Sequence, residues 1–111
     1  MMAMTNEEAA MCLAELGNTH RLSIFRYLVK AGHDGASVGD VQRQLGIPGS
    51  TLSHHLSRMA NAGLIKQVKH SRVITCLPNF ELLEALTGFL KEECCVGHES
   101  EKPATESGKQ P

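Results

Sequence analysis

Residues 48–63, PGSTLSHHLSRMANAG, set the strongest local constraint on what this chain can fold into. Proline's fixed φ suits the first turn of a helix, where its missing N–H would be unpaired anyway, so Pro48 can open one. Gly63 can close it in a left-handed cap. Leu52, Leu56 and Met59 recur at spacings of four and three and therefore share one face. The opposite face carries Ser50, His54, Ser57, Arg58 and Asn61, all hydrogen-bonding and none acidic. Such a helix is either an ordinary solvated one or one shaped to enter a DNA major groove. The surrounding chain decides between the two.

Charge is the first discriminator. The whole chain carries a formal −1, which alone would argue against nucleic acid. Its distribution argues the other way. Residues 41–80 hold Arg43, Arg58, Lys66, Lys69 and Arg72 with no Asp or Glu, a local +5, while the flanking segments are both net acidic. His54, His55 and His70 add donors in the same window. A confined basic footprint is what contact with phosphates requires.

The length of 111 residues suits one small domain. Aromatic residues are few (Phe25, Tyr27, Phe80 and Phe89, with no Trp), so the expected core is aliphatic and modest, and dimerisation would bury more of it. No apolar run approaches the roughly 20 residues of a membrane span, and MMAMTNEEAA lacks the basic and apolar regions of a secretory signal. A cytoplasmic location is therefore expected. The four cysteines, Cys12, Cys76, Cys94 and Cys95, are expected to be reduced. Nothing matches a nucleotide-binding loop or a hydrolase elbow, and Cys94-Cys95 lacks the Cys-x-x-Cys spacing of thiol oxidoreductases, so no enzyme is expected.

Along the chain, Thr5 or Asn6 can cap a first helix whose Ala9, Cys12, Leu13 and Leu16 form a stripe ending at Gly17. Thr19 can cap a second, HRLSIFRYLVKA, apolar over a wide arc and so central to the core. Gly32 to Gly35 make a turn. Ser37 can cap a third helix, VGDVQRQL, and Gly46-Ile47 joins it tightly to the helix beginning near Pro48, the helix-turn-helix arrangement. Leu64 to Val68 and Val73 to Cys76 read as two strands, with Lys69, His70, Ser71 and Arg72 as a basic turn between them. A hairpin tipped with cations directly after the reading helix would serve as a wing, reaching flanking phosphates or the minor groove. Asn79 can cap a last helix, FELLEALTGFLKEECC, whose stripe of Leu82, Leu83, Leu86, Phe89 and Leu90 calls for a partner helix. From Gly97 onward the chain is nearly devoid of apolar residues and is expected to be a disordered tail, leaving 1–96 as the folded unit.

This order resembles the ArsR/SmtB-type winged helix-turn-helix metalloregulators. Three stretches carry the likeness: LGNTHRLSIFRYL (16–28), STLSHHLSRMANAGLI (50–65), and the wing around Arg72. The resemblance covers about residues 7–96. It implies a mainly α fold with a small β-hairpin wing, a homodimer formed through the first and last helices, and repression by binding operator DNA until an inducer releases it. A two-fold dimer would read an inverted repeat with half-sites about one helical turn apart. The candidate DNA contacts are Ser50, Thr51, Ser53, His54 and Ser57 on the helix, with Arg58, Lys69 and Arg72 on phosphates; His55 points nearer the apolar side and is expected to be structural.

The resemblance also supplies places to look for an inducer site. A Cys-x-Cys ahead of Asp on the third helix is absent, since Ser37 and Gly39 precede Asp40. A zinc site along the last helix is not expected, because Glu81, Glu84, Glu92 and Glu93 have no His among them. Cys94-Cys95 resembles the C-terminal vicinal pair of an arsenite-responsive subset. Soft thiolates select thiophilic ions, so As(III) is the expected inducer, with Sb(III) or Cd(II) also fitting and no permanently bound cofactor. Trivalent arsenic prefers three sulfurs, and Cys12 is the first candidate for the third, with His98 a harder donor. Cys76 is expected to be a small buried hydrophobe. The alternatives are a redox or reactive-sulfur sensor in which Cys12 pairs with Cys94 or Cys95, and a DNA-binding regulator with no inducer.

Overall fold

The structure, a computed structural model, describes residues 4–97. Five helices and three strands follow in the order α1 (Asn6–Leu16), α2 (Thr19–Ala31), β1 (Ala36–Ser37), α3 (Val38–Leu45), α4 (Gly49–Asn61), β2 (Ile65–His70), β3 (Val73–Pro78) and α5 (Phe80–Lys91). The fold is mainly α with an antiparallel sheet of order β1-β3-β2, a winged helix-turn-helix.

The caps explain where the helices begin. Thr5 accepts from the Glu8 backbone while the Glu8 side chain accepts from the Thr5 backbone, a complete capping box. α2 is capped by Asn18, whose Oδ1 accepts from Arg21 N, and not by Thr19, which is the first helical residue. Ser37 caps α3 as expected. Pro48 sits at the cap position of α4 without a side-chain bond, and its carbonyl accepts from Leu52 N.

α4 stops in a Schellman arrangement: Leu64 N donates to Met59 O and Gly63 N to Ala60 O, with Gly63 at φ +82°. Asn79 then ties this end to the start of α5. Its Oδ1 accepts from Leu82 N, its Nδ2 donates to Gly63 O at 2.9 Å, and its backbone N donates to Leu64 O. The reading helix and the last helix are thereby locked at one corner.

The core gathers Ile24 and Leu28 of α2, Val41 of α3, Leu52, Leu56 and Met59 of α4, Leu64 and Cys76. Cys76 is fully buried, as expected, and burial pushes its thiol pKa up. Three further expectations need correction. β1 was not expected as a strand; it pairs Ala36 with Cys76 and Ser37 with Thr75. The hairpin strands run longer than their apolar residues, so Lys69 and His70 belong to β2 opposite Ile74 and Val73, and the turn is only Ser71-Arg72, with Ser71 at φ +61°. The last helix ends at Lys91; Glu92 to Val96 form turns, so Cys94 and Cys95 lie beyond it and do not extend its stripe. The tail expected to be disordered and His98 lie outside the described residues, apart from Gly97.

Candidate nucleic-acid interface and the cysteines

α4 presents two unlike faces because its apolar residues obey the 3.6-residue period. Leu52, His55, Leu56 and Met59 are buried, whereas Ser50, Ser53, His54, Ser57 and Arg58 are exposed and Thr51 is half-buried. The exposed set carries no acid. The short α3–α4 connection, with Ile47 buried beneath it, holds this face outward. Beyond it the hairpin projects: after Ile65, every residue of β2 is exposed, and Lys66, Lys69 and Arg72 stand in solvent. Neither the reading helix nor the wing contributes an acid of its own.

His55 belongs to the framework of this surface. Only 7% of it is exposed. Its Nδ1 lies 3.2 Å from Nη1 of Arg21, so the ring accepts from the guanidinium. The His20 and His54 rings flank it at centroid distances of 5.5 and 6.0 Å. Burial first, then the positive field of Arg21 and the neighbouring groups, hold its pKa below the ordinary value.

One member of the expected DNA-contacting set is engaged within the protein. Arg58 donates from Nε and Nη2, each at 3.0 Å, to the two carboxylate oxygens of Glu15 on α1. Glu15 also lies 3.3 Å from Arg21 Nε, and its backbone carbonyl accepts from the same nitrogen at 2.6 Å. The hydrogen bond from Arg58 is the main cause that lowers the Glu15 pKa; burial opposes it, and the charges of Arg58 and Arg21 add to the lowering. Sequence reasoning missed Glu15 and Arg21. Their partners lie 43 and 34 residues away, and no local pattern announces such a pairing.

The cysteines fall into two environments. Cys94 and Cys95 are exposed and adjacent, with Cys95 at φ +67°. A hydrogen bond with Cys95, then the charge of that neighbour, raises the Cys94 pKa. Cys12 is buried, and burial followed by the charge of Glu8 raises its pKa. It lines a groove of about 920 Å³ between α1 and the first half of α5, together with Met4, Met11, Glu81, Leu82 and Ala85. Ala85 stands six steps, about 9 Å of helix rise, before the helix end at Lys91, and the pair lies further on. Cys12 does not join the pair in a three-donor cluster within one subunit. Among the described residues, no three His, Cys, Asp or Glu side chains converge to hold a metal ion.

Comparison with known proteins agrees with this architecture. Residues 16–68 match a helix-turn-helix domain family. The chain is 33% identical over 89 residues to the HTH-type transcriptional regulator YgaV of Escherichia coli K12, covering 80% of this chain and 88% of that one. The crystal structure of the transcriptional repressor BigR from Xylella fastidiosa superposes with a TM-score of 0.64 at 26% identity, over 81% of this chain and 89% of that one. The ArsR family transcriptional regulator RHA00566 shares the fold, with a TM-score of 0.68 at 23% identity over 83% and 92% of the two chains. These relatives are regulators of transcription and not enzymes. No helix among the described residues is long and apolar enough to cross a membrane. With its reading helix, basic wing and this kinship, the chain belongs to the HTH-type transcriptional regulators of which YgaV is a member, and it shares the winged fold of the ArsR family regulator.

Proposed function

We propose that this regulator is a repressor that binds an inverted-repeat operator as a homodimer and leaves it when a thiophilic inducer, As(III) first among them, engages Cys94 and Cys95. The observation that carries the DNA half is the exposed polar face of α4 followed by the exposed, basic wing, neither with an acid of its own. Ser50, Thr51, Ser53, His54 and Ser57 read base edges or adjacent phosphates, and Lys69 and Arg72 take flanking phosphates. The dimer is favoured by apolar side chains that one subunit leaves in water on α1 and α5: Met11, Leu13 and Leu90 are 64%, 43% and 58% exposed.

The inducer half rests on the thiol pair. Two adjacent, exposed thiols outside a helix are free of the roughly 100° divergence that a regular helix would impose on neighbours. Thiolates bind soft ions in preference to hard ones. The described residues of one subunit offer no third donor for As(III), so Cys12 enters this reading only across the dimer.

The experiment selects binding duplexes from a random pool and then titrates the complex with As(III), Sb(III), Cd(II), Zn(II) and a persulfide donor, reading release by fluorescence anisotropy. Release by As(III) that is lost in Cys94→Ser and Cys95→Ser supports the reading. Release by persulfide with a Cys12 crosslink in the mass spectrum would replace it with the reactive-sulfur mechanism, and no release by any of them would leave a regulator without a thiol inducer.

A further inference from the structure

Arg58 is the only Lys or Arg of the reading helix, and an acid from another helix occupies it. The geometry of that occupation is informative. Nε and Nη2 meet the two Glu15 oxygens in parallel, the same fork that a guanidinium offers to a phosphate. The Arg58 side chain is 48% exposed, and the Glu15 side chain 18%. The guanidinium itself is half-exposed, so water partly screens the pair and a DNA phosphate can reach Arg58 and compete for it.

Removing Arg58 does not strand its partner. Glu15 keeps Arg21, whose Nε lies 3.3 Å from the carboxylate and is anchored to the Glu15 backbone carbonyl. The swap therefore leaves no unpaired partly buried charge behind, which is the usual penalty for breaking such a pair.

We propose that Glu15 is an internal stand-in for a DNA phosphate. In the free protein it holds Arg58; on a duplex the guanidinium turns to the sugar-phosphate backbone and Glu15 remains with Arg21. Glu15 is thus an affinity-setting residue that never needs to touch DNA: every duplex must first displace it from Arg58. This inference rests on the DNA-binding reading of α4.

The test is fluorescence anisotropy with a labelled mixed-sequence duplex of about three helical turns across a salt series, using the full chain, Glu15→Gln, Arg58→Gln, the double variant, and Glu7→Gln as a control for net charge at the far end of α1. Gln is isosteric with Glu, and circular dichroism verifies that each variant is folded. We expect Glu15→Gln to tighten binding roughly three- to tenfold and to leave the slope of log K against log salt nearly unchanged, because Arg58 reaches a phosphate in both chains. Glu7→Gln should do much less, and the gain should disappear when Arg58→Gln is the background. Binding that weakens or stays the same in Glu15→Gln, or an equal gain without Arg58, would overturn the proposal. The Arg58 Nε–Hε resonance of the unmodified chain gives a readout independent of any variant. It should shift when duplex is added. Binding with that signal unmoved would overturn this inference alone, whereas no binding to any duplex would overturn the DNA-binding reading with it.

Discussion

Nη1 of Arg21 lies 3.2 Å from Nδ1 of His55, so a buried imidazole on the back of the reading helix accepts a hydrogen bond from a cation. That bond exists only while the ring is neutral, because a protonated imidazole has no acceptor left. His20, His54 and Arg58 add to the positive surroundings.

The consequence is a stability that depends on pH. In the folded chain the His55 pKa lies below its ordinary value of 6.5. In the unfolded chain the ring titrates normally. Below about pH 6.5 the unfolded state therefore binds a proton that the folded state refuses, and stability falls as pH falls. The full contribution is present above pH 6.5. The slope from this one residue is at most about 1.4 kcal/mol per pH unit. Thermal melts between neutral and mildly acidic pH should show this decline, and His55→Gln, which can accept from Arg21 without titrating, should flatten it. An equal decline in His55→Gln would place the pH dependence elsewhere.

Gly35 is held by a different constraint. It sits at φ +69°, and a Cβ there would run into the Cys76 carbonyl and lie 2.6 Å from Leu77 Cδ2. Its neighbours Ala36 and Ser37 pair with the same strand, so the backbone has no room to retreat. Gly63 has a similar φ of +82° but meets only Leu82 Cδ2, at 4.0 Å. Gly63→Ala should therefore cost only the left-handed conformation, about 1–2 kcal/mol. Gly35→Ala adds steric overlap against backbone and should cost well over about 2 kcal/mol. Denaturant melts of the two variants check the ranking; equal losses would show that the β1–β3 edge yields.

How much of this was legible in the sequence depends on how far apart the determining residues lie. α4 could be read because Leu52, Leu56 and Met59 impose their period within eight residues. Ser37 and Asn79 announce helices through local side-chain to backbone bonds. β1 could not be read, because two residues, Ala36 and Ser37, carry no alternation and become a strand only by pairing with Cys76 and Thr75. The end of α5 was placed too late because KEECC contains no breaker and Cys94 falls in line with Leu90. The Glu15–Arg58–Arg21–His55 assembly joins three helices and was invisible for the same reason as β1: its partners meet only in the folded chain.

The wing and the reading helix should fail in different ways. Lys69 and Arg72 are exposed cations on or beside the hairpin turn, suited to phosphate. Lys69→Ala and Arg72→Ala should weaken binding to all duplexes alike and reduce the salt slope by about one each. Ser53 and His54 occupy the exposed face of α4, where base edges are read. Ser53→Ala or His54→Ala should leave the salt slope nearly unchanged and cut the ratio of selected-site to mixed-sequence affinity. Anisotropy titrations of both duplex types at several salt concentrations separate the two outcomes; a wing variant that changed sequence preference would reassign the hairpin to base readout.

The four thiols should react in a fixed order set by burial. Cys94 and Cys95 are exposed, whereas Cys12 and Cys76 are buried, and burial raises the pKa of both and withholds the thiolate that reacts. The Cys94 pKa is itself raised, chiefly by its hydrogen bond with Cys95, so Cys94 should carry less thiolate near neutral pH than an isolated cysteine. Brief alkylation of the native chain near pH 8 should therefore label positions 94 and 95 before any other, and Cys94 should react faster in Cys95→Ala, where its hydrogen-bond partner is gone. Cys12 and Cys76 should become reactive only in denaturant. Peptide mass spectrometry reads each site separately. Early labelling of Cys12 would mean that the groove between α1 and α5 opens in solution, and it would bring that thiol within reach of the same reagents as the pair.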